Sequence, residues 1–340
     1  MAKTILGVDI GYDNLKLALI AGGVVRNAVS VPMPRNMISD GHVVSVESRG
    51  EMIRTTMKEN GMKARTAAFV FSNDSVYVKS ISLPRMTADQ LEYNLPFEFR
   101  DYITGEIREY AFDYAMYYDK NYDNEMTGQD GAEEGTPKMD MLACAAPRTV
   151  IEEARTIVRK AGLKLTMATP AVCTYMQLIR KKEELNPTGI DEYCILDLGY
   201  QAVRMYIFKG ERHVVTRVLD VGLSGLDQVL ADVYGVDIHL AHTYLMTDYE
   251  HCTRREECLS AYDSIATELM RALNFFRFSN PDGNLEDMWL CGGGAKIEPL
   301  AEVIADNLDM RLHPASDLLP GGEMNKDAEI FVQAVGITLE

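Results

Sequence analysis

Large apolar residues recur at every second position at Leu15, Leu17 and Leu19, after the mostly apolar run Ile5–Ile10 and a short polar turn. A period of two in the second arm predicts two strands joined by a tight turn, a hairpin over Ile5–Ile20. "EMIRTTMKENGM" is amphipathic at helical spacing and ends at Gly61, as a helix does. "RTAAFVFS" reads as a buried strand, and "SVYVKSISLP" as a strand stopped by Pro84. "TADQLEYNLPFEFRDYI" predicts a helix capped by Thr87 and interrupted at Pro96. "EYAFDYAMYYD" returns to the strand period.

A polar, acidic, glycine-containing stretch follows over about 119–138 and reads as a mobile surface loop. "MDMLACAAP" predicts a strand, and "TVIEEARTIVRKAGLKL" a helix ending at Gly162. In the second half, "YCILDLG" opens a hairpin toward "ERHVVTRVLDVG". Helices are expected at "LSGLDQVLADVYG", "DIHLAHTYLMTDYE", "CLSAYDSIATELMRALNFFRFSN" and "PLAEVIADNL", with a buried strand "MWLC" running into three glycines. "IFVQAVGITL" closes the chain as helix or strand. Alternating strands and helices predict an α/β fold.

The pattern repeats. "VDIGYDNLKLALI" (Val8 to Ile20) aligns with "LDLGYQAVRMYIF" (Leu196 to Phe208). Asp9 matches Asp197, Gly11 matches Gly199, Tyr12 matches Tyr200, and the basic Lys16 matches Arg204. Two such hairpins half a chain apart imply two related domains, each opening on a hairpin. The boundaries read as 1–74 with 169–187 for the first domain, 188–340 for the second, and 75–168 for a small α+β insert in the first.

At 340 residues with 47% hydrophobic positions, the chain can bury a large core. Its formal net charge of −17 argues against nucleic acid as a partner and against adhesion to an anionic membrane by charge alone. "MAKTILGVDI" leads straight into a strand and no stretch has the apolar length of a spanning helix, so contact with a membrane is expected only through a partner. The six cysteines are scattered in apolar runs, as reduced core thiols of a cytoplasmic protein are. "HCTRREEC" lacks a second pair of ligands nearby, so no metal site is assigned there.

The candidate chemistry lies at the two turns. An Asp at a strand end can hold a hydrated Mg²⁺, and the glycine beside it lets backbone N–H groups approach phosphate oxygens. Asp9 with Gly11 and Asp197 with Gly199, facing across a cleft, would clamp a nucleotide from both sides. Gly292, Gly293 and Gly294 at a strand-to-helix junction would admit adenosine or phosphate. Each feature also has a structural reading: the carboxylates can brace the turns, the three glycines can serve close packing, and Lys16 and Arg204 on alternating strands are expected to face solvent rather than phosphate.

Taken together and in this order, these motifs resemble the actin-like ATPase superfamily, and the likeness covers nearly the whole chain. It implies an actin-like, ribonuclease H-like two-domain fold. It also implies ATP and Mg as cofactors, held by Asp9, Gly11, Lys16, Asp197, Gly199, Gly222, Gly292, Gly293 and Gly294, with Asp9 and Asp197 reaching the metal through water. A narrower resemblance, to the PilM family of type IV pilus assembly proteins, rests on "SISLPRMTADQLEYNLPFEF", "FDYAM", "ACAAPRTVIEEARTIVRKAGLKL", "VTRVLDVG" and "LNFFRFSN". It implies an FtsA-like insert and a cytoplasmic scaffold beneath the inner membrane. The implied partner is the N-terminal tail of a PilN-like membrane protein, held in a groove beside the insert; other platform or motor proteins and self-association are further expectations.

The sequence also departs from that pattern. Tyr12, Asp13 and Asn14 in the first turn, and Tyr200, Gln201, Ala202 and Val203 in the second, stand where relatives carry Ser or Thr. "AHTYL" puts His242 and Leu245 where an adenosine-contacting Glu and Lys are expected, and "ATPAVCTYMQL" offers only Gln177 as a water-activating group. A nucleotide cleft retained in shape and weakened in chemistry is therefore expected, with no catalytic residue assigned and at most weak ATPase activity. Leu95, Pro96, Phe97 and Phe99 of "LPFEF" are the candidate partner surface, two of them expected in the insert core. The rival readings are an ATP-dependent kinase or ATPase and an FtsA-like filament former.

Overall fold

The structure is a computed structural model describing residues 4–34, 38–39, 42–43, 45–117, 138–320 and 327–339. Strands β1 (Thr4–Ile10) and β2 (Asn14–Ala21) form the expected hairpin, with Asp9 directly opposite Lys16. Gly22 and Gly23, both at positive φ, turn the chain into β3 (Val24–Pro32). A two-residue pair, β4 (Ile38–Ser39) and β5 (His42–Val43), precedes helix α1 (Val46–Glu59), which Ser45 caps by accepting from the Ser48 N–H. β6 (Thr66–Phe71) then runs parallel to β1.

Next come β7 (Tyr77–Pro84), α2 (Ala88–Asn94), β8 (Tyr110–Met116) and β9 (Lys138–Pro147). Thr87 and Gln90 cap α2 reciprocally, and at Leu95–Phe99 the helix tightens to a 3₁₀ turn where Pro96 interrupts it, as expected. The sequence loop at 119–138 lies outside the described residues except for Lys138, the first residue of β9. Beyond β9 the order is α3 (Arg148–Lys160), β10 (Lys164–Pro170), α4 (Ala171–Leu185), β11 (Glu192–Leu198), β12 (Val203–Lys209), β13 (Arg212–Leu219), α5 (Leu223–Tyr234) and α6 (Ile238–Thr247). The chain ends with α7 (Glu256–Ser279), β14 (Asp287–Cys291), α8 (Glu298–Leu308), β15 (Arg311–Pro314) and α9 (Val332–Gly336).

The hairpin repeat extends to whole sheets. One five-stranded sheet has the order β10-β6-β1-β2-β3, and the other, read from its far edge, has the equivalent order β15-β14-β11-β12-β13. In each, two antiparallel pairs continue into parallel strands. The second sheet is covered on one face by α5 to α8 through Leu226, Leu230, Tyr262, Leu269 and Ile304.

A third sheet, β7-β9-β8, is the insert. Two residue groups sit elsewhere than the sequence boundaries suggest. The helix at 148–160 and most of the strand at 164–170 fall within the expected insert, yet β10 pairs with β6 and α3 packs on α1. The reason is the apolar face Ala154, Ile157 and Val158, which meets Ile53 and Met57; Gly50 allows the approach, since a Cβ there would lie 2.4 Å from Lys160 Cβ. The C-terminal α9, grouped by sequence with 188–340, packs Ala334 and Val335 against Ala18 and Ile20 of the first sheet. Conversely α4 packs Tyr175 and Ile179 against Tyr193, Ile195, Tyr206 and Phe208 of the second. These two crossing helices join the halves. The insert also braces the second half, where Ser80 Oγ donates to the His213 carbonyl at 2.7 Å and Arg212 pairs with Asp140.

Candidate functional site

Both hairpin turns open on one cavity of about 430 Å³ between the halves. Asp9 and Lys16 face each other across β1 and β2, and Lys16 Nζ donates to Asp9 Oδ2 at 2.9 Å. Burial opposes the charge on Lys16, but Asp9 and Asp197 outweigh it and hold the ammonium above its ordinary value. The matching pair, Asp197 and Arg204, is likewise cross-strand, but Arg204 donates to both carboxylate oxygens of Asp74 at 3.0 and 2.8 Å. Asp197 instead accepts from Gln333 Nε2 at 3.0 Å, and Gln333 also donates to the Tyr175 hydroxyl at 2.8 Å. Burial raises the Asp197 carboxyl, against the opposing pull of Lys16 and Arg204.

Lys16 and Arg204 therefore do not face solvent, as their place on alternating strands had suggested. Both line the cavity, because the side of each strand that carries the aspartate is turned toward the opposite half. Of the glycines assigned to a nucleotide, Gly11, Gly199, Gly292 and Gly293 line the cavity. Gly292, at φ +84°, comes so near Asp197 that a Cβ would stand 2.5 Å from its Oδ1. Gly222 and Gly294 lie behind the cavity wall: a Cβ on Gly222 would strike the Tyr200 carbonyl at 2.5 Å, and one on Gly294 the Leu198 Cβ at 2.7 Å.

The first turn meets the second half directly. His242 Nε2 lies 3.1 Å from Asp13 Oδ1, while its Nδ1 lies 2.9 Å from Asp227 Oδ2. Burial disfavours the imidazolium, but hydrogen bonds to Asp13 and Asp227 push its pKa up to about 10. Tyr200 packs edge-on to the imidazole at 5.5 Å, its phenol raised by burial and by Asp227.

The donor set suits a magnesium nucleotide. Asp9 and Asp197 would reach a hydrated cation, and Lys16 would meet phosphate charge. Ser30, Ser72, Thr243 and Thr247 also line the cavity and bring aliphatic hydroxyls where the turns have only phenols, those of Thr243 and Thr247 donating to the His239 and Thr243 carbonyls. Sequence reasoning missed these four and Gln333, because none sits in a turn motif. Gln177, the sequence candidate for orienting water, lines a different depression.

That depression, of about 440 Å³, is a groove between β8 and β10, which are edge strands of the insert and of the first sheet. Phe112, Tyr114, Ala115, Leu165, Met167 and Pro170 give it an apolar lining, with Asp113 and Arg155 as its charged groups. Cys144 and Cys173 in its wall stay protonated, pushed up by burial to about 12 and about 11. In the sequence-assigned partner segment, Leu95 and Phe99 are buried in the insert core, Phe99 packing on Phe112 at 5.8 Å. Pro96 is half-buried. Phe97 is 41% exposed beside Tyr93, with the Arg100 guanidinium 4.3 Å from its ring centre. Among the described residues no cluster suits a metal held by His, Cys, Asp and Glu alone, and no helix is long and apolar enough to cross a membrane.

The fold is that of the actin-like ATPases. A PilM–PilN type IV pilus biogenesis complex superposes with a TM-score of 0.79 at 22% identity, covering 98% of this chain and 97% of that one. The ethanolamine utilization protein EutJ from Carboxydothermus hydrogenoformans follows at 0.59 and 14%, over 100% and 89% of the two chains. MreB 5 of Spiroplasma citri, bound to AMPPNP, superposes at 0.51 and 12%, over 99% and 95%. The family described as type IV pilus assembly protein PilM matches residues 7–327. On that match, which spans both halves and the insert, the chain belongs to the PilM family of type IV pilus assembly proteins.

Proposed function

We propose that this chain is a scaffold of the type IV pilus assembly platform and that it holds the N-terminal cytoplasmic tail of a PilN-like membrane protein in the groove between β8 and β10. The groove is the observation that carries this reading. Two edge strands border it, so an extended peptide can pair with backbone while its side chains enter the apolar floor. Leu95 and Phe99 support that floor from the insert core through Phe112; of their segment, Phe97 is left as the exposed aromatic. Membrane association then comes through the partner. That a structure of a PilM–PilN complex shares this fold supports the choice of partner.

Nucleotide binding in the cleft is, in this reading, weak, and ATP turnover weaker. Asp9 is already neutralised by Lys16, Arg204 is engaged by Asp74, and Asp13 adds a carboxylate at the rim. Calorimetric titration with a synthetic peptide of the PilN-like tail tests the main reading. Saturable binding is expected, and Met167→Asp, at a 44% exposed groove position where folding tolerates the change, should abolish it. Absence of binding to the parent protein, or equal binding by the variant, would remove the groove from the proposal.

A further inference from the structure

We propose that His242 is a latch across the mouth of the nucleotide cleft, tying the first turn of one half to helices α5 and α6 of the other, and that a ligand enters only when it opens. Three observations carry this. First, the partners belong to opposite sides: Asp13 is in the β1–β2 turn, His242 is on α6 and Asp227 is on α5. Second, the contacts form a continuous chain, Asp13 to Nε2 at 3.1 Å and Nδ1 to Asp227 at 2.9 Å, so both ring nitrogens are engaged. Third, exposure falls with depth. The Asp13 and His242 side chains are 24% and 21% exposed, whereas Asp9 and Asp197 behind them are largely buried and Asp227 is fully enclosed.

The anchoring is asymmetric. Asp227 is enclosed in the second half, so His242 stays with α5 when the link breaks, and Asp13 is the side that lets go. Asp13 has a local partner to fall back on, since Asn14 Nδ2 donates to its carboxylate. Walls on both sides of the link belong to the same cavity: Gly11, Tyr12 and Asn14 on one, Thr243, Met246 and Thr247 on the other. A group that passes between these walls to reach Asp9 and Asp197 meets the link on its way.

Amide hydrogen exchange on the full chain tests the latch through a double-mutant cycle. Asp13→Asn and His242→Gln should each speed exchange in residues 11–14 by about tenfold, the worth of one charge-assisted hydrogen bond. The double variant should be no faster than either single one. Effects that multiply in the double variant, or no acceleration in Asp13→Asn, overturn the latch. Titration with Mg-ATP as the probe then tests the gating. Charge alone predicts opposite results, because Asp13→Asn removes an anion and His242→Gln a cation. A latch predicts that both variants bind more tightly than the parent. Opposite signs, or no binding by variants whose exchange has accelerated, overturn the gating. Neither measurement involves the β8–β10 groove, so its outcome is separate from that of the peptide titration.

Discussion

Gly7 lies in the middle of β1, where α9 crosses the first sheet, and its replacement by alanine tests the crossing that positions Gln333 at the cleft. A Cβ built there falls 1.7 Å from the Ala334 carbonyl oxygen and 2.8 Å from its carbon, where ordinary contact begins near 3.4 Å. The helix must therefore retreat by roughly 1.5 Å, against the tight packing of Val332, Ala334 and Val335. Overpacking of this kind costs about 1–3 kcal/mol. An alanine also restricts the unfolded chain, which returns about 0.4–1 kcal/mol. The net expectation is a loss of about 1–2 kcal/mol, seen as a lower thermal midpoint and a lower urea midpoint. Gly225 in α5 supplies the control, since nothing lies within 4 Å of its added Cβ, and Gly225→Ala should stabilise by about 0.5–1 kcal/mol. A Gly7→Ala protein as stable as the parent would mean that α9 does not lie on β1, and the account of how Asp197 is held would fall with it.

Other expectations follow from burial and titration. Leu95→Ala should cost about 2–5 kcal/mol by urea denaturation, because it empties the insert core. Phe97→Ala, two residues on, should change stability by no more than about 0.5 kcal/mol. His242, raised in the fold from 6.5 to about 10, contributes stability that is complete below pH 6.5 and is lost as the pH rises through 10. The gap in urea midpoint between parent and His242→Gln should accordingly narrow above neutrality; a gap that widens contradicts the assignment. His213 behaves in the opposite sense: burial lowers it to about 4, so the unfolded chain takes up its proton first and stability falls as the pH drops from 6.5 toward 4. Replacing it by glutamine should flatten that acid limb, measured as urea midpoints at pH 7 and pH 5.

The hairpins were legible because their information is local. The period of two, the turn and the repeated Asp-x-Gly all lie within a dozen residues, and the repeat then extends to two sheets of equivalent order. The placements that sequence reasoning missed depend on contacts far along the chain. Nothing in "TVIEEARTIVRKAGLKL" says whether its helix covers the insert or α1; Gly50, about a hundred residues earlier, supplies the space that decides it. The same holds for α9, whose site on β1 depends on the missing side chain of Gly7. In the cleft, Asp9 and Lys16 could be paired from the hairpin register alone, by counting inward from the turn. Gln333 could not be paired with Asp197 in this way, being 136 residues away. In the sequence His242 stands out only as a departure from a pattern and Asp13 as a separate one; the fold puts them 3.1 Å apart.

The two turns are equivalent in backbone and unequal in charge, and this difference bears on what the cleft can hold. In the first, the basic residue opposite the aspartate neutralises it directly, Lys16 to Asp9 at 2.9 Å. In the second, the equivalent Arg204 is drawn to Asp74 outside the turn, and Asp197 is left with a neutral amide donor, Gln333. Asp197 is consequently the carboxylate with least direct compensation, and burial raises its pKa as that predicts. An incoming cation would gain most there, whereas incoming phosphate would have to draw Lys16 away from Asp9 and meet Asp13 at the rim. The cavity therefore joins two equivalent turns whose carboxylates are compensated unequally, Asp9 by a cation and Asp197 by an amide. On the proposed reading of a weak cleft, a phosphate contact at Lys16 gives up the existing pair with Asp9, and that loss offsets part of the gain on binding.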